Sequence, residues 1–372
     1  MNYSYWEAKA YLKPFDLIIV GGGIVGLSTG LAFRDLHPEA RILILERGLL
    51  PDGASTRNAG FACFGSAGEI LDDLQKQDKE HVFETIRMRF EGLQLLRQRI
   101  GDNNLAYEPL GGYEIFETAQ VLDEVFQALP DLNLLLKPLT GEDCFERIQK
   151  NHFQLGPHAG MIHNRFEGQL DTGKMIHHLR KLAVSKDIEL LSGMQVTALQ
   201  TTNQQVLLKT AFAEFKCSIC VVATNAFASE LLQLQDVVPG RAQVLVTEPI
   251  PNLKLQGSFH ADRGYYYFRN IDGRILLGGG RNLDPAGEQT FKNGLTTVIQ
   301  ESLERLLTDL ILPGQTFKIE RRWSGIMGLG SEKRPIIAPV QNRVIAAVRM
   351  GGMGVAIGSL VGKHAAQMAS QC

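Results

Sequence analysis

Gly21, Gly23 and Gly26 stand in the run Gly21-Gly22-Gly23-Ile24-Val25-Gly26, directly after the apolar stretch Leu17-Ile18-Ile19-Val20. The chemistry such spacing serves is the binding of a pyrophosphate. The first glycine makes a tight turn, the second lets main chain approach the phosphates, and the third lets the following helix pack on the strand. The helix N-terminus then presents free N–H groups and the positive end of its dipole, at Ile24 and Val25. Glu46 closes the next apolar run, Ile42-Leu43-Ile44-Leu45, with Arg47 after it. An acid about 20 residues beyond the last glycine is placed to accept from ribose hydroxyls. A second glycine turn, Gly351-Gly352-Met353-Gly354, follows the apolar run Val344–Val348. A helix starting at Gly354 would bring N–H donors and positive potential to a group that becomes anionic on reduction, as a flavin does.

The elements that must position these residues follow from the pattern. Residues 16–50 form a strand, a turn, a helix and a second strand. Residues 51–68 are dense in glycine and small polar residues, a loop that lets a ligand approach its backbone. Residues 69–102 and 119–150 carry helical periodicity, and Gly112–Phe116 reads as a strand. Asp171 is placed to cap a helix through Met175, Ile176, Leu179 and Leu182. Residues 241–280 are strand-rich around the turn Asp272-Gly273, and 289–310 are amphipathic. The chain therefore begins and ends with a strand, a glycine turn and a helix. The layout predicts an α/β fold, with a nucleotide domain assembled from both ends and a strand-rich domain inserted between.

Bulk composition narrows the function. The chain has 372 residues, 44% apolar and 21% charged, with a net charge of −2. That balance argues against nucleic acid or an anionic membrane as partner. No apolar run is long enough to span a bilayer, and the N-terminus does not read as a secretory signal. The five cysteines at 63, 144, 217, 220 and 372 do not form a disulfide framework. Cys217 and Cys220 fall in a strand, where three-residue spacing predicts opposite faces and buried packing rather than a metal or redox pair. No cluster has metal-ligand spacing. These features point to the cytoplasm.

Over about Asp16 to Ala369 the chain resembles FAD-dependent oxidoreductases of the D-amino acid oxidase and glycine oxidase type. Asp16 to Ser28 is similar to that family's FAD fingerprint, and Glu46 to its ribose acid. Ser55-Thr56-Arg57-Asn58-Ala59-Gly60 resembles the loop lying along pyrophosphate and flavin. Val196 falls where the family contacts the adenine region, and Val221 to Ala226, with Ala223 and Thr224, resembles the turn returning to the cofactor. Trp323-Ser324-Gly325 is similar to the segment re-entering the FAD domain, and Gly352-Met353-Gly354 to the C-terminal flavin loop. The resemblance implies a Rossmann-like FAD-binding domain (residues 1–75, 155–230 and 321–372) and an inserted antiparallel-sheet substrate domain (76–154 and 231–320). It implies FAD, a small-molecule substrate, and oxygen or a carrier as electron acceptor.

One departure bears on the substrate. The family's amino-acid oxidisers often carry an arginine that clamps the substrate carboxylate; here Met327 takes its place, and Arg349 appears in the C-terminal loop. Arg349 and Arg269 are therefore the candidate clamps. Tyr265 and Tyr267 share a strand face with Arg269 and are candidates to line the pocket, with core packing as their alternative. Solvated roles are expected for His163, His177 and His178, and buried packing for Cys63. The implied reaction is oxidation of a primary or secondary amine or amino acid by hydride transfer to flavin N5. Its rivals are a dehydrogenase of a 2-hydroxy acid or polyol phosphate, and an electron-transfer flavoprotein subunit without a substrate of its own.

Overall fold

The structure, a computed structural model, describes residues 2–148 and 151–372. Its first sheet is built on the strand Phe15–Val20, whose residues 17–20 are buried on both faces as parallel central strands require. Phe15–Val20 pairs in parallel with Ile42–Leu45 on one side and Glu214–Val222 on the other. The sheet continues in parallel through Val344–Val348 and Glu189–Leu191, and Ile336–Gln341 closes one edge antiparallel. Strands from residues near 15, 220 and 345 thus lie side by side, and this sheet is assembled from both ends of the chain.

The helices Ile24–Leu36 and Gly354–Ala369 lie against each other on this sheet. Small residues permit the close approach. A Cβ on Gly358 would come within 2.7 Å of Ile24, and one on Gly362 within 2.6 Å of Ser28. Side chains there would push the helices apart, and their N-termini with them.

The second sheet runs in the order Ile319–Leu329, Val238–Thr247, Arg274–Gly279, Tyr266–Ile271, Ser258–Ala261, Gly112–Phe116, Gly160–Asn164, Phe145–Ile148. Every pairing is antiparallel except Ser258–Ala261 with Gly112–Phe116. Its own core packs Phe259, Phe268, Leu245 and Leu277 against the helix Thr297–Leu306.

Several expectations are corrected. Gly160–Asn164 and Ile319–Leu329 belong to the second sheet, so that sheet reaches past residue 155 and past residue 321. The amphipathic stretch at 289–310 is helical only from Thr297, because Gln243 fastens Thr296 and Arg241 fastens Glu288 in an extended connection. The helix Ala119–Thr140 stops at Gly141, which adopts the left-handed conformation, and Phe145–Ile148 is a strand; positions 149 and 150 lie outside the described residues. Cys217 and Cys220 are buried and free as expected, but in the same apolar layer. The strand changes partner between them, from the antiparallel Val206–Thr210 to the parallel Val344–Val348, and turns its faces as it does so.

Candidate active site

A cavity of about 790 Å³ lies between the two sheets and is lined by both. One end is made of main chain. Gly21, Gly23, Ile24 and Val25 reach it from the first strand and helix, and Gly352, Met353 and Gly354 from the last helix. Two helix N-termini therefore open on one space, each presenting the positive end of its dipole. The turn needs its glycines. Gly21 has φ +111° and a Cβ there would lie 2.7 Å from the Ala223 carbonyl oxygen. A Cβ on Gly26 would lie 1.9 Å from the Gly21 carbonyl oxygen, so Gly26 shapes the turn without lining the cavity.

Glu46 lines the cavity with a carboxylate fixed by two main-chain donors. Its Oε2 accepts from Gly22 N–H (2.8 Å) and its Oε1 from Gly48 N–H (2.9 Å). Each oxygen keeps a lone pair for a ribose hydroxyl. Ser55 Oγ accepts from Ile24 N–H (3.0 Å), placing a hydroxyl at the first helix's N-terminus. Arg47 stacks on Phe227, its guanidinium carbon 3.7 Å from the ring centroid. Ala59, Val196, Ala223, Thr224 and Gly325 complete this end, and the buried Thr224 hydroxyl has no protein partner. A glycine cradle, two helix N-termini, a held carboxylate and an orphaned hydroxyl fit the pyrophosphate, ribose and flavin of an FAD.

The other end is made of side chains. Phe61, His260 and Tyr267 form an aromatic wall; the Phe61 ring meets His260 at 5.0 Å and Tyr267 at 5.7 Å, both edge-on. Burial lowers His260 to about 4 against the opposing pull of Glu69, so the imidazole is neutral at pH 7. His260 Nε2 is buried without a partner. Burial pushes the Tyr267 hydroxyl up to about 12, although Arg281 draws it down. Burial would also raise Glu69, but Arg89 and Lys333 outweigh it and hold its carboxyl at about 2. Lys333 Nζ donates to Glu69 (2.8 Å) and Asp73 (2.7 Å), and Arg89 reaches Glu69 at 3.3 Å.

The wall segment between these groups is stitched from behind. Glu167 Oε1 accepts from the N–H groups of Phe64 (2.8 Å) and Gly65 (3.0 Å), and Glu114 Oε2 from that of Gly68 (2.7 Å). Both carboxyls are buried and, among the described residues, form no ion pair. Burial raises Glu114 to about 7 and Glu167 to about 8, against the downward pull of those N–H donors.

Not every expected residue reaches the cavity. Asn58 lines it, but its side chain mainly folds the loop, donating to the carbonyls of Ala54 and Ser55 and accepting from Gly60 N–H. Thr56 and Gly60 do not line it; the Thr56 hydroxyl donates to the Pro51 carbonyl (2.5 Å), and the Gly60 carbonyl accepts from Arg269.

Both candidate clamps are corrected. Arg269 is buried outside the cavity, donating to the carbonyls of Gly60 (3.0 Å) and Leu170 (2.9 Å), and burial lowers it to about 10. Arg349 has φ +66°, and its side chain leaves the flavin loop for Asp236, Glu332 and the Arg334 carbonyl. Tyr265, Tyr267 and Met327 do line the cavity, and so does the buried Cys63, whose thiol burial pushes up. His163, His177 and His178 lie away from it. Sequence reasoning missed Glu69, Arg89, His260, Arg281 and Lys333, which come from separate segments with no shared spacing.

A model of the family described as FAD dependent oxidoreductase (DAO) matches residues 16–368. The Haemophilus influenzae protein described as "Probable oxidoreductase OrdL" is 20% identical over 377 residues, covering 96% of this chain and 83% of that protein. Among solved structures, L-proline dehydrogenase from P. horikoshii superposes with TM-score 0.79 at 16% identity, over 97% of this chain and 94% of the other. Glycine oxidase from Geobacillus kaustophilus superposes with TM-score 0.78 at 19% identity, over 96% and 95%. At those identities the two superpositions establish a common fold.

Proposed function

We propose, from the premise that the chain belongs to the DAO family of FAD-dependent oxidoreductases, that it oxidises a small primary or secondary amine or amino acid. FAD, when bound, would supply the two-electron acceptor, a flavin whose N5 can receive a hydride. Gly21 to Gly26, Glu46, Ser55 and the Gly354 helix terminus would hold and orient it. The protein's remaining task is alignment and desolvation rather than covalent chemistry.

The observation that carries the amine reading is the neutral wall of Phe61, His260 and Tyr267. It contains an uncharged imidazole whose buried Nε2 has no protein partner. Such a wall favours a neutral amine over an ammonium ion, since a desolvated cation would find no free counter-charge there. Glu69 does not serve as one, being held by Arg89 and Lys333. Glycine oxidase and L-proline dehydrogenase, by their names, act on amino acids.

The test is anaerobic bleaching of the purified flavoprotein by a panel of amines, amino acids and hydroxy acids. An amine or amino acid should bleach the flavin, at a rate that rises with pH as the amine loses its proton. Bleaching by hydroxy acids alone would give the site to a 2-hydroxy acid or polyol phosphate, and no bleaching at all would leave an electron-transfer role. Reoxidation in air against reoxidation by a dye then separates oxygen from a carrier as the acceptor.

A further inference from the structure

Six cationic side chains line the cavity, and four are already engaged. Arg47 lies on Phe227, and Arg57 donates to the carbonyls of Asp52 (2.7 Å) and Ser324 (3.0 Å). Arg89 and Lys333 share Glu69, with Asp73 as second partner of Lys333. Two cations and two carboxylates make that cluster neutral by itself. Arg263 and Arg281 differ: among the described residues their side chains have no hydrogen bond or ion pair.

Arg281 is the half-buried member of this pair and Arg263 the exposed one. Gly280, at φ +75°, turns the chain out of the strand Arg274–Gly279 and delivers Arg281 to the cavity. The Arg281 stem passes Gly240, whose built Cβ would lie 3.9 Å from Arg281 Cδ. Gly240 is the register partner of Met327. Arg281 therefore approaches from two strands across, over the Gly240 strand, from the position where an arginine was expected and a methionine stands. Its charge acts on the Tyr267 hydroxyl. Asn282 Nδ2 meets Asp262 Oδ2 at 3.4 Å, joining the Arg281 turn to the turn that carries Arg263. That second turn holds Asp262, Arg263 and Gly264 in three successive left-handed conformations, with φ of 48°, 53° and 83°, beside the cavity-lining Tyr265.

A guanidinium with its donors unspent, partly withdrawn from water and lining the same cavity as Leu329 and Tyr267, is completed by an anion. We propose that Arg281 binds a carboxylate of the substrate, with Arg263 as an outer cation at the mouth. The substrate is then a carboxylate-bearing amine whose anionic end is received at the end of Arg274–Gly279, not on Ile319–Leu329. The amine half of this statement rests on the proposed function; the anion half does not.

The test uses FAD-loaded protein and inert probes, so no turnover is needed. Benzoate and its uncharged counterpart benzamide are titrated while the flavin difference spectrum is followed. Wild type should bind benzoate more tightly than benzamide. Arg281→Met should weaken benzoate about ten- to a hundredfold and leave benzamide unchanged. Arg281→Lys, a point charge in place of a fork, should recover part of the loss. Arg263→Met should cost less, and its effect should vanish in high salt. Each variant is first checked for full FAD content. Equal binding of benzoate by wild type and Arg281→Met would overturn the assignment, as would a wild type with no preference for benzoate. Transfer of the whole effect to Lys333→Met would also overturn it. The bleaching panel fails or succeeds independently: hydroxy acids as sole reductants, with benzoate still dependent on Arg281, would replace the amine and leave the clamp standing.

Discussion

One end of the cavity, the end proposed for the cofactor, is walled by main chain at Gly21, Gly23, Ile24 and Gly354, whereas the end proposed for the substrate is walled by the side chains of Phe61, Glu69, His260, Tyr267, Arg281 and Lys333. The first kind of surface is rigid because its donors are those of strands and helices that the core already fixes. The second depends on rotamers, each set by its own partners: Glu69 by Arg89 and Lys333, and the Phe64–Gly68 backbone by Glu114 and Glu167. Main chain suits what every member of a fold must hold, and side chains suit what one member must choose.

If that contrast is right, the largest effect should come from disturbing main chain at the cofactor end. Gly26→Val places a side chain where even a Cβ would lie 1.9 Å from the Gly21 carbonyl oxygen. It should abolish FAD binding, read as the ratio of flavin to protein absorbance. Gly53→Ala lines the same cavity but has nothing within 4 Å of the added Cβ, and should keep its flavin.

At the substrate end a buried partner matters more than an exposed one. Arg89 is 3% exposed and donates to the Phe64 carbonyl and to Glu69. Arg89→Met should cost about 1–3 kcal/mol in a denaturant titration, from the acceptors it leaves buried and unpaired. FAD content should survive, since Arg89 touches none of the glycine turns. Equal loss of FAD and stability would erase the division between the two ends.

The stitching carboxylates give a pH signature. Glu114 and Glu167 titrate near 7 and 8 in the fold, above the 4.5 of an exposed glutamate, so the folded state holds their protons more tightly. Their stabilising contribution is whole below about pH 4.5 and is lost as pH rises through 7 to 8. Glu69 behaves oppositely: its folded value of about 2 gives stability that is present above 4.5 and fades as pH falls toward 2. Unfolding free energies measured from pH 4 to 9 should show a downward slope on the alkaline side that Glu167→Gln flattens. An unchanged slope would mean that Glu167 does not carry the proton.

The smallest effect is expected at Arg349. Its guanidinium is buried, but its partner carboxylates on Asp236 and Glu332 are half-exposed and regain water when it is removed, so Arg349→Met should cost about 1 kcal/mol and leave benzoate binding as in wild type. Weakened benzoate binding would return Arg349 to the substrate end.

What was legible in the sequence follows the same division. Gly21, Gly23, Gly26 and Glu46 keep a fixed spacing because turn, helix and strand geometry impose it, and the structure places their turn and carboxylate at the cavity. Side chains leave no such trace. The position of Arg349 in the C-terminal loop was plain, but its left-handed φ sends the guanidinium to Asp236. Arg281 gave no motif: the hairpin that carries it was legible, but it is the left-handed turn at Gly280 that sends its side chain to the cavity beside Tyr267. The strands Gly160–Asn164 and Ile319–Leu329 escaped their domain for a related reason: an isolated strand does not say which sheet it will join.

The contact of Gly358 with Ile24 and of Gly362 with Ser28 also has a consequence in time. The two helices whose N-termini open on the cavity are separated by nearly the whole chain, and at about 5–20 residues per second a ribosome takes on the order of tens of seconds to pass from one to the other. Throughout that interval the nascent Ile24–Leu36 helix lacks the neighbour that fixes its angle, and the strand Phe15–Val20 waits for Glu214–Val222. The two helix N-termini that open on the cavity can therefore come together only after the C-terminal helix has left the ribosome.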